Sequence, residues 1–208
     1  MRILMIALLG GLLPAGVLFA QNSDVPASDA TANQITGDLK DGRKVAGMCR
    51  TCHGLDGKAR IPIAPHIGGE TVDYLMAQLH AFKSGEREHE MMTVVARGLS
   101  DDQIRDVATW FNHFDVVTTL PAGKTEDDAP ELCVGCHGVN GISDLPDAPN
   151  LAGETNIYIE TQIKAFRTGK RENDTMTPIA KDITDAEMQQ ASDWYSQINI
   201  KITDPSGK

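Results

Sequence analysis

The sequence predicts an all-α chain of two tandem helical domains. Three observations carry this. A long stretch repeats itself 84 residues later without an insertion. Apolar residues in each copy recur three and four apart, the spacing of a helix face. No alternating strand pattern of any length stands out, so no strand is expected.

The chain begins with a segment that reads as exported. Arg2 gives a short basic start, Ile3 to Phe19 is apolar and broken by Gly10, Gly11 and Pro14, and Ala20 precedes Gln21. This reads as a secretory signal over 1–20, with cleavage expected after Ala20. An uncleaved membrane anchor is the alternative, but the run is short for a span and carries helix breakers. Residues 21–37 are small and polar and read as a flexible leader.

The first repeat, 38–117, opens with a short helix from Asp38 that carries Val45 and Met48 on one face. Next come Tyr74, Leu75, Gln78, Leu79 and Phe82, a second helix ended by Gly85. Ser100-Asp101-Asp102-Gln103 is a capping box that opens a closing helix with Ile104, Val107, Ala108 and Phe111 on one side. A linker follows over 118–128, with Pro121-Ala122-Gly123-Lys124 and a run of acids. The second repeat, 129–202, has Tyr158, Ile159, Ile163 and Phe166, then Gly169. Its capping box is Thr184-Asp185-Ala186-Glu187, ahead of Met188, Ala191 and Tyr195. Residues 203–208 are a tail.

Within the repeat the matches are specific. Gly54, Gly57 and Pro65 face Gly138, Gly141 and Pro149. Gly69-Glu70-Thr71 faces Gly153-Glu154-Thr155. Tyr74, Gln78, Phe82, Gly85, Arg87 and Glu88 face Tyr158, Gln162, Phe166, Gly169, Arg171 and Glu172. Met92-Thr93 faces Met176-Thr177, and Trp110 faces Trp194. A unit of this length is too long for a solenoid and reads as a duplicated domain.

The chemistry lies in Cys49-Arg50-Thr51-Cys52-His53 and Cys133-Val134-Gly135-Cys136-His137, which use all 4 cysteines of the chain. C-x-x-C-H is the attachment signature of c-type haem. Two thiols at this spacing reach the two vinyl groups of one porphyrin, and the adjoining histidine is held beneath the iron. Zinc knuckles bring their C-x-x-C pairs roughly 15–20 residues apart, and a redox dithiol needs neither the histidine nor a second copy. Two haem groups with His53 and His137 as proximal iron ligands are expected.

The opposite ligand decides the function. Met92 and Met176 each lie 39 residues after their histidine, in a stretch read as irregular between two helices. A thioether there makes a six-coordinate, fairly high-potential electron carrier; an empty site makes a haem that binds gases or peroxide. Met91 is a rival, but Thr175 stands at its repeat position. Met48, Met76 and Met188 read as core filler. His66, His80, His89 and His113 face Asn150, Lys164, Asn173 and Gln197, so none is a shared ligand, and all read as surface residues. His89 is the one near enough to Met92 to be weighed as a ligand. The Pro65 and Pro149 carbonyls, each 12 residues past its histidine, are candidates to accept the ring N–H, with an ordinary turn proline as the alternative. Arg87 and Arg171 are candidates to neutralise haem propionates. The tyrosines and tryptophans read as packing residues.

Composition agrees. With 29 acids against 19 bases, the net charge is −10. This argues against nucleic acid and anionic membranes and favours a basic patch on a protein partner. Aromatics form 5% of the chain, and a buried porphyrin supplies apolar bulk that the side chains lack. A domain of this size has little core of its own.

Taken together, the two C-x-x-C-H-G units, each with its Pro, Tyr-bearing helix, Phe-x-x-Gly-x-Arg end and Met, resemble the two-haem class I cytochromes c of the cytochrome c4 family. The resemblance covers nearly the whole chain after the signal. It implies two class I cytochrome c domains, each wrapped around a covalent haem and related by pseudo-twofold symmetry. It also implies periplasmic electron transfer, often to a terminal oxidase. The segment Ala81-Phe82-Lys83-Ser84-Gly85-Glu86 is also similar to the haem subunit of flavocytochrome c sulfide dehydrogenases. Three functions follow: a soluble carrier, an electron-accepting subunit of a flavoprotein dehydrogenase, or a haem enzyme with an open distal site. The matched methionines favour the first two over the third.

Overall fold

Eight α-helices and a two-stranded ribbon make up residues 36–207, the part of the chain that the computed structural model describes. The signal 1–20 and nearly all of the leader lie outside the described residues. Among the described residues no helix is long and apolar enough to cross a membrane.

The first half contains α1 (Leu39–His53), α2 (Val72–Ser84), α3 (Met92–Arg97) and α4 (Asp101–Asn112). The second contains α5 (Glu131–His137), α6 (Asn156–Arg167), α7 (Met176–Asp182) and α8 (Asp185–Gln197). Local chemistry sets the boundaries. Asp38 accepts from the Asp41 N–H to start α1, and Thr71 and Thr155 cap α2 and α6 in the same way. Both expected capping boxes form, at Ser100–Gln103 and Thr184–Glu187. Gly85 ends α2 with φ 91°, whereas Thr168 closes α6 one residue before Gly169.

Each half has its own core. In the first, Val45 and Ala46 of α1 pack with Leu75 of α2 and with Ile104, Val107, Ala108 and Phe111 of α4. Gly42 allows the close approach of α1 to α4, because a Cβ there would strike the Asp106 carbonyl and the Trp110 side chain. In the second, Ile159, Ile163 and Phe166 of α6 meet Met188, Trp194 and Tyr195 of α8. Met188 is core filler as expected, and Met76 packs at the edge of the first core. Met48 is not: it is 58% exposed, as is its repeat mate Leu132 at 63%.

The expectation of no strand is corrected. Asp115–Thr119 (β1) and Asn199–Thr203 (β2) pair antiparallel. Each is five residues long and rich in β-branched side chains. Neither is a strand alone; each follows its closing helix and finds its partner only in the other repeat. The strands straddle the ends of the two repeats, β1 running two residues into the linker and β2 one residue into the tail.

The register makes the symmetry explicit. Val117 faces Lys201, its own repeat mate, and the pairs on either side are related by exchange of the two halves. The same exchange relates the Thr71 hydroxyl bond to the Pro146 carbonyl and the Thr155 hydroxyl bond to the Pro62 carbonyl.

Candidate functional site

The two C-x-x-C-H motifs occupy the C-terminal ends of α1 and α5. The helix presents each cysteine pair one turn apart and ends on the histidine. Gly54 and Gly138, both at φ 73°, then turn the chain away. Side chains there would run into the Lys58 and Ile142 carbonyls, so glycine is required after each histidine.

His53 and His137 are both 6% exposed. Each Nδ1–H donates to the expected carbonyl, Pro65 at 2.8 Å and Pro149 at 2.9 Å. A carbonyl can only accept, so the proton sits on Nδ1 and the Nε2 lone pair remains for a metal. Burial pushes both imidazoles below their usual pKa, with the proline carbonyls acting in the opposite sense. The rings are therefore neutral, as iron ligands must be. Burial also raises the Cys49 and Cys133 thiols to about 11. Both pack at the edges of their cores. Cys52 and Cys136 are half-buried free thiols, and their carbonyls are tied to the Arg60 N–H and the Ser143 hydroxyl. A c-type haem fits this donor set: two reduced thiols and one oriented, neutral imidazole at each of two sites.

Met92 and Met176 are the first residues of α3 and α7, not loop residues as read from sequence. Both are half-buried, whereas the rival Met91 is 61% exposed. Each methionine is seated by a cap that the sequence reading missed. The His89 Nδ1 accepts from the Met91 and Met92 N–H groups at 3.2 and 3.4 Å. The Asn173 Oδ1 accepts from Thr175 and Met176 at 3.0 and 2.8 Å. The N–H of each capping residue is in turn held by Thr93 or Thr177 at 2.9 Å. Imidazole Nδ1 and amide Oδ1 are interchangeable as acceptors, which explains why a His faces an Asn here.

The tryptophans serve the motif turns. Trp110 and Trp194 donate Nε1–H to the Leu55 and Val139 carbonyls at 2.9 and 3.0 Å. The reading of His66 and His113 as surface residues is corrected. His113 stacks on Trp110 and reaches Asp204 at 3.3 Å. His66 lies between the halves, accepting from the Ala59 N–H and donating to the Gly153 carbonyl.

The arginines also meet between the halves. Arg87 donates to Gln78 and, across the interface, to Gln162 at 2.7 Å. Arg171 donates to Gln162 and, across the interface, to Gln78 at 2.9 Å. Each guanidinium lies 4.4 Å over a phenylalanine of its own half, Phe82 or Phe166. Two buried acids complete the interface. Glu70 and Glu154 are 3% and 2% exposed. Glu70 accepts from the Asn150 N–H, and Glu154 from the His66 N–H. Their signal in the sequence was an acid kept at one position of both copies, between a glycine and a threonine.

A cytochrome c family model matches residues 129–204. Cytochrome c4 of Pseudomonas aeruginosa is 32% identical over 161 residues, 71% of this chain and 80% of that protein. A thiosulfate dehydrogenase electron acceptor of Stutzerimonas stutzeri is 30% identical, with 76% of this chain and 82% of that protein covered. Among solved structures, reduced cytochrome c4 from Pseudomonas stutzeri superposes with TM-score 0.69 at 26% identity, over 79% of this chain and all of that one.

Proposed function

The chain belongs to the cytochrome c4 family, the two-haem electron-transfer cytochromes c, and from this we propose that it carries single electrons between redox proteins in the periplasm through two His/Met-ligated haems. Covalent haem c supplies the redox chemistry when bound. Cys49 and Cys52 would tether the first group and Cys133 and Cys136 the second. His53 and Met92 would ligate the first iron, and His137 and Met176 the second.

The observation that carries this reading is the duplicated seat of the methionines. Each starts a short helix at the same offset from its histidine, half-buried, with its N–H fixed by a residue three positions earlier. A thioether on the open face lowers the affinity for exogenous ligands and raises the potential. The chain then relays electrons and catalyses no reaction of its own. The test is carbon monoxide added to the reduced protein. Slow or negligible binding at both haems is expected; ready binding at either haem refutes methionine ligation there and revives an enzyme with an open distal site.

One observation favours a narrower role. Relatives from Stutzerimonas stutzeri and Thiomonas intermedia carry the name thiosulfate dehydrogenase electron acceptor. An electron acceptor for a sulfur-oxidising dehydrogenase, flavin-containing or not, is thus the second reading. Gentle purification from the native periplasm decides it. A co-purifying dehydrogenase that reduces the haems with its substrate supports a dedicated acceptor, and haem alone supports a freely diffusing carrier serving a terminal oxidase.

A further inference from the structure

Each haem histidine is linked through a single peptide group to a buried carboxyl of the other half. The Pro65–His66 peptide accepts from His53 Nδ1–H at its carbonyl, 2.8 Å, and donates its N–H to Glu154 Oε1, 2.7 Å. The Pro149–Asn150 peptide accepts from His137 Nδ1–H at 2.9 Å and donates to Glu70 Oε1 at 3.0 Å. The two chains of bonds exchange under the pseudo-twofold. The His-to-Asn difference at position 66 leaves them intact because the two bonds use only the Pro65 carbonyl and the residue-66 N–H, both backbone groups.

The peptide group is a conductor for polarisation. Its nitrogen lone pair is delocalised onto the oxygen, so an acceptor drawing on the N–H raises electron density at the carbonyl. A richer carbonyl pulls harder on the imidazole Nδ1–H, and the ring becomes a stronger donor at Nε2. A stronger donor favours ferric over ferrous iron and lowers the potential. The two carboxyls are buried, and neither forms an ion pair among the described residues. Low surrounding polarity strengthens the effect of any charge they carry.

We propose that Glu70 and Glu154 are positioning residues that tune the potential of the haem in the opposite half, Glu70 through Pro149–Asn150 and His137, and Glu154 through His66 and His53. The proposal rests on the ligand roles of His53 and His137 given above. It makes the contact between halves a device for setting the two potentials as well as a latch.

Burial raises Glu70 to about 8, while the Asn150 N–H opposes this. Glu154 is raised further by burial and by Glu70 itself, with the His66 N–H opposing. The tuning is therefore greatest in alkaline solution.

The test is Glu70→Gln, which keeps an acceptor oxygen for the Asn150 N–H and removes the ionisable group. Above about pH 8, the second haem should become easier to reduce by about threefold to tenfold, tenfold being about 59 mV for one electron. The potential of the second haem should move further than that of the first, which can shift only in the opposite sense, because loss of the Glu70 charge eases ionisation of Glu154. In the reduced, diamagnetic protein, the Nδ1–H proton resonance of His137 should shift more than that of His53. Equal movement of both haems, or of neither, overturns the proposal. If the variant folds poorly, wild-type protein titrated across about pH 8 serves instead: the His137 Nδ1–H resonance should move with Glu70 ionisation, and a static resonance overturns the relay. Failure of the ligand assignment has a separate signature, the absence of ring-current displacement of the His137 ring protons in wild-type protein.

Discussion

Val117 pairs with Lys201 at the centre of the β1–β2 ribbon, and the two residues hold the same position in their respective repeats. The local twofold therefore passes between them. A consequence is that each half lends a strand to the other's surroundings. Ile202, from the end of the second repeat, packs against the first core.

Ile202→Ala should for that reason weaken the first half although it lies outside it. The side chain is half-buried, so the loss should be about 1–2 kcal/mol, below the range for a fully buried isoleucine. Denaturation of single-tryptophan proteins retaining Trp110 or Trp194 checks this. The Trp110 transition should move at least as far as the Trp194 transition; a shift confined to Trp194 would show that β2 supports only its own repeat.

The two methionines should respond independently. Met176→Ala is expected to lower the potential of the second haem and open it to carbon monoxide, leaving the first nearly unchanged, because each methionine sits in its own short helix. Redox titration with carbon monoxide binding reads both effects. Equal changes at the two haems contradict the modular picture.

Much of this was legible in sequence. Helices α1, α2, α4, α6 and α8, both capping boxes and the histidine-to-proline bonds follow from periodicity and from a repeated offset, and they are seen at those residues; α3 and α7 are too short to show a period and stand where the sequence reads as irregular. The ribbon was not legible, because five residues after a helix, most of them β-branched, look like a connection until a partner supplies the hydrogen bonds. The interface was not legible either. Arg87 and Arg171 resemble solvated or propionate-binding arginines in sequence, yet in the fold each donates to a glutamine of the opposite repeat. Pairing between repeats leaves no mark in the spacing within one repeat. The His/Asn exchanges at 66 and 89 hid two seats, because chemical equivalence as acceptors is not similarity of residue type.

His89 should therefore be replaceable by its own repeat mate. His89→Asn is expected to preserve the cap on Met92, whereas His89→Ala should cost about 1 kcal/mol. The alanine variant should also let carbon monoxide reach the first haem faster. Thermal denaturation and ligand-binding rates measure the two effects, and an asparagine variant as impaired as the alanine one would count against the shared cap.

Glu70 should make stability depend on pH. Its folded form keeps the proton to about 8, while the unfolded chain releases it near the ordinary 4.5, and burial is the main cause. Stability tied to that proton is present in full below about 4.5 and lost as pH rises to about 8. The loss should be on the order of 1–5 kcal/mol, the upper end assuming no relaxation. Glu70→Gln should flatten this slope. Urea denaturation across that pH range compares the two, and parallel curves would remove Glu70 as the source.

Each half should need its haem to hold its short helices. Helices α3, α5 and α7 have 6, 7 and 7 residues, well under the ~12–15 residues at which an isolated helix becomes even marginally stable in water. They persist only through packing. The apolar side chains beside the motifs do not supply it, since Met48 and Leu132 are exposed at 58% and 63%. Bound through Cys133, Cys136, His137 and Met176, the second haem would tie α5 to α7 directly. A Cys133→Ala, Cys136→Ala protein that carries only the first haem should therefore lose helical circular dichroism, with Trp194 becoming solvent-exposed. Trp110 should keep its native fluorescence, because α1 and α4 already share a packed core. Full native helicity in that protein would show that side-chain packing alone suffices and that haem is a passenger in the fold.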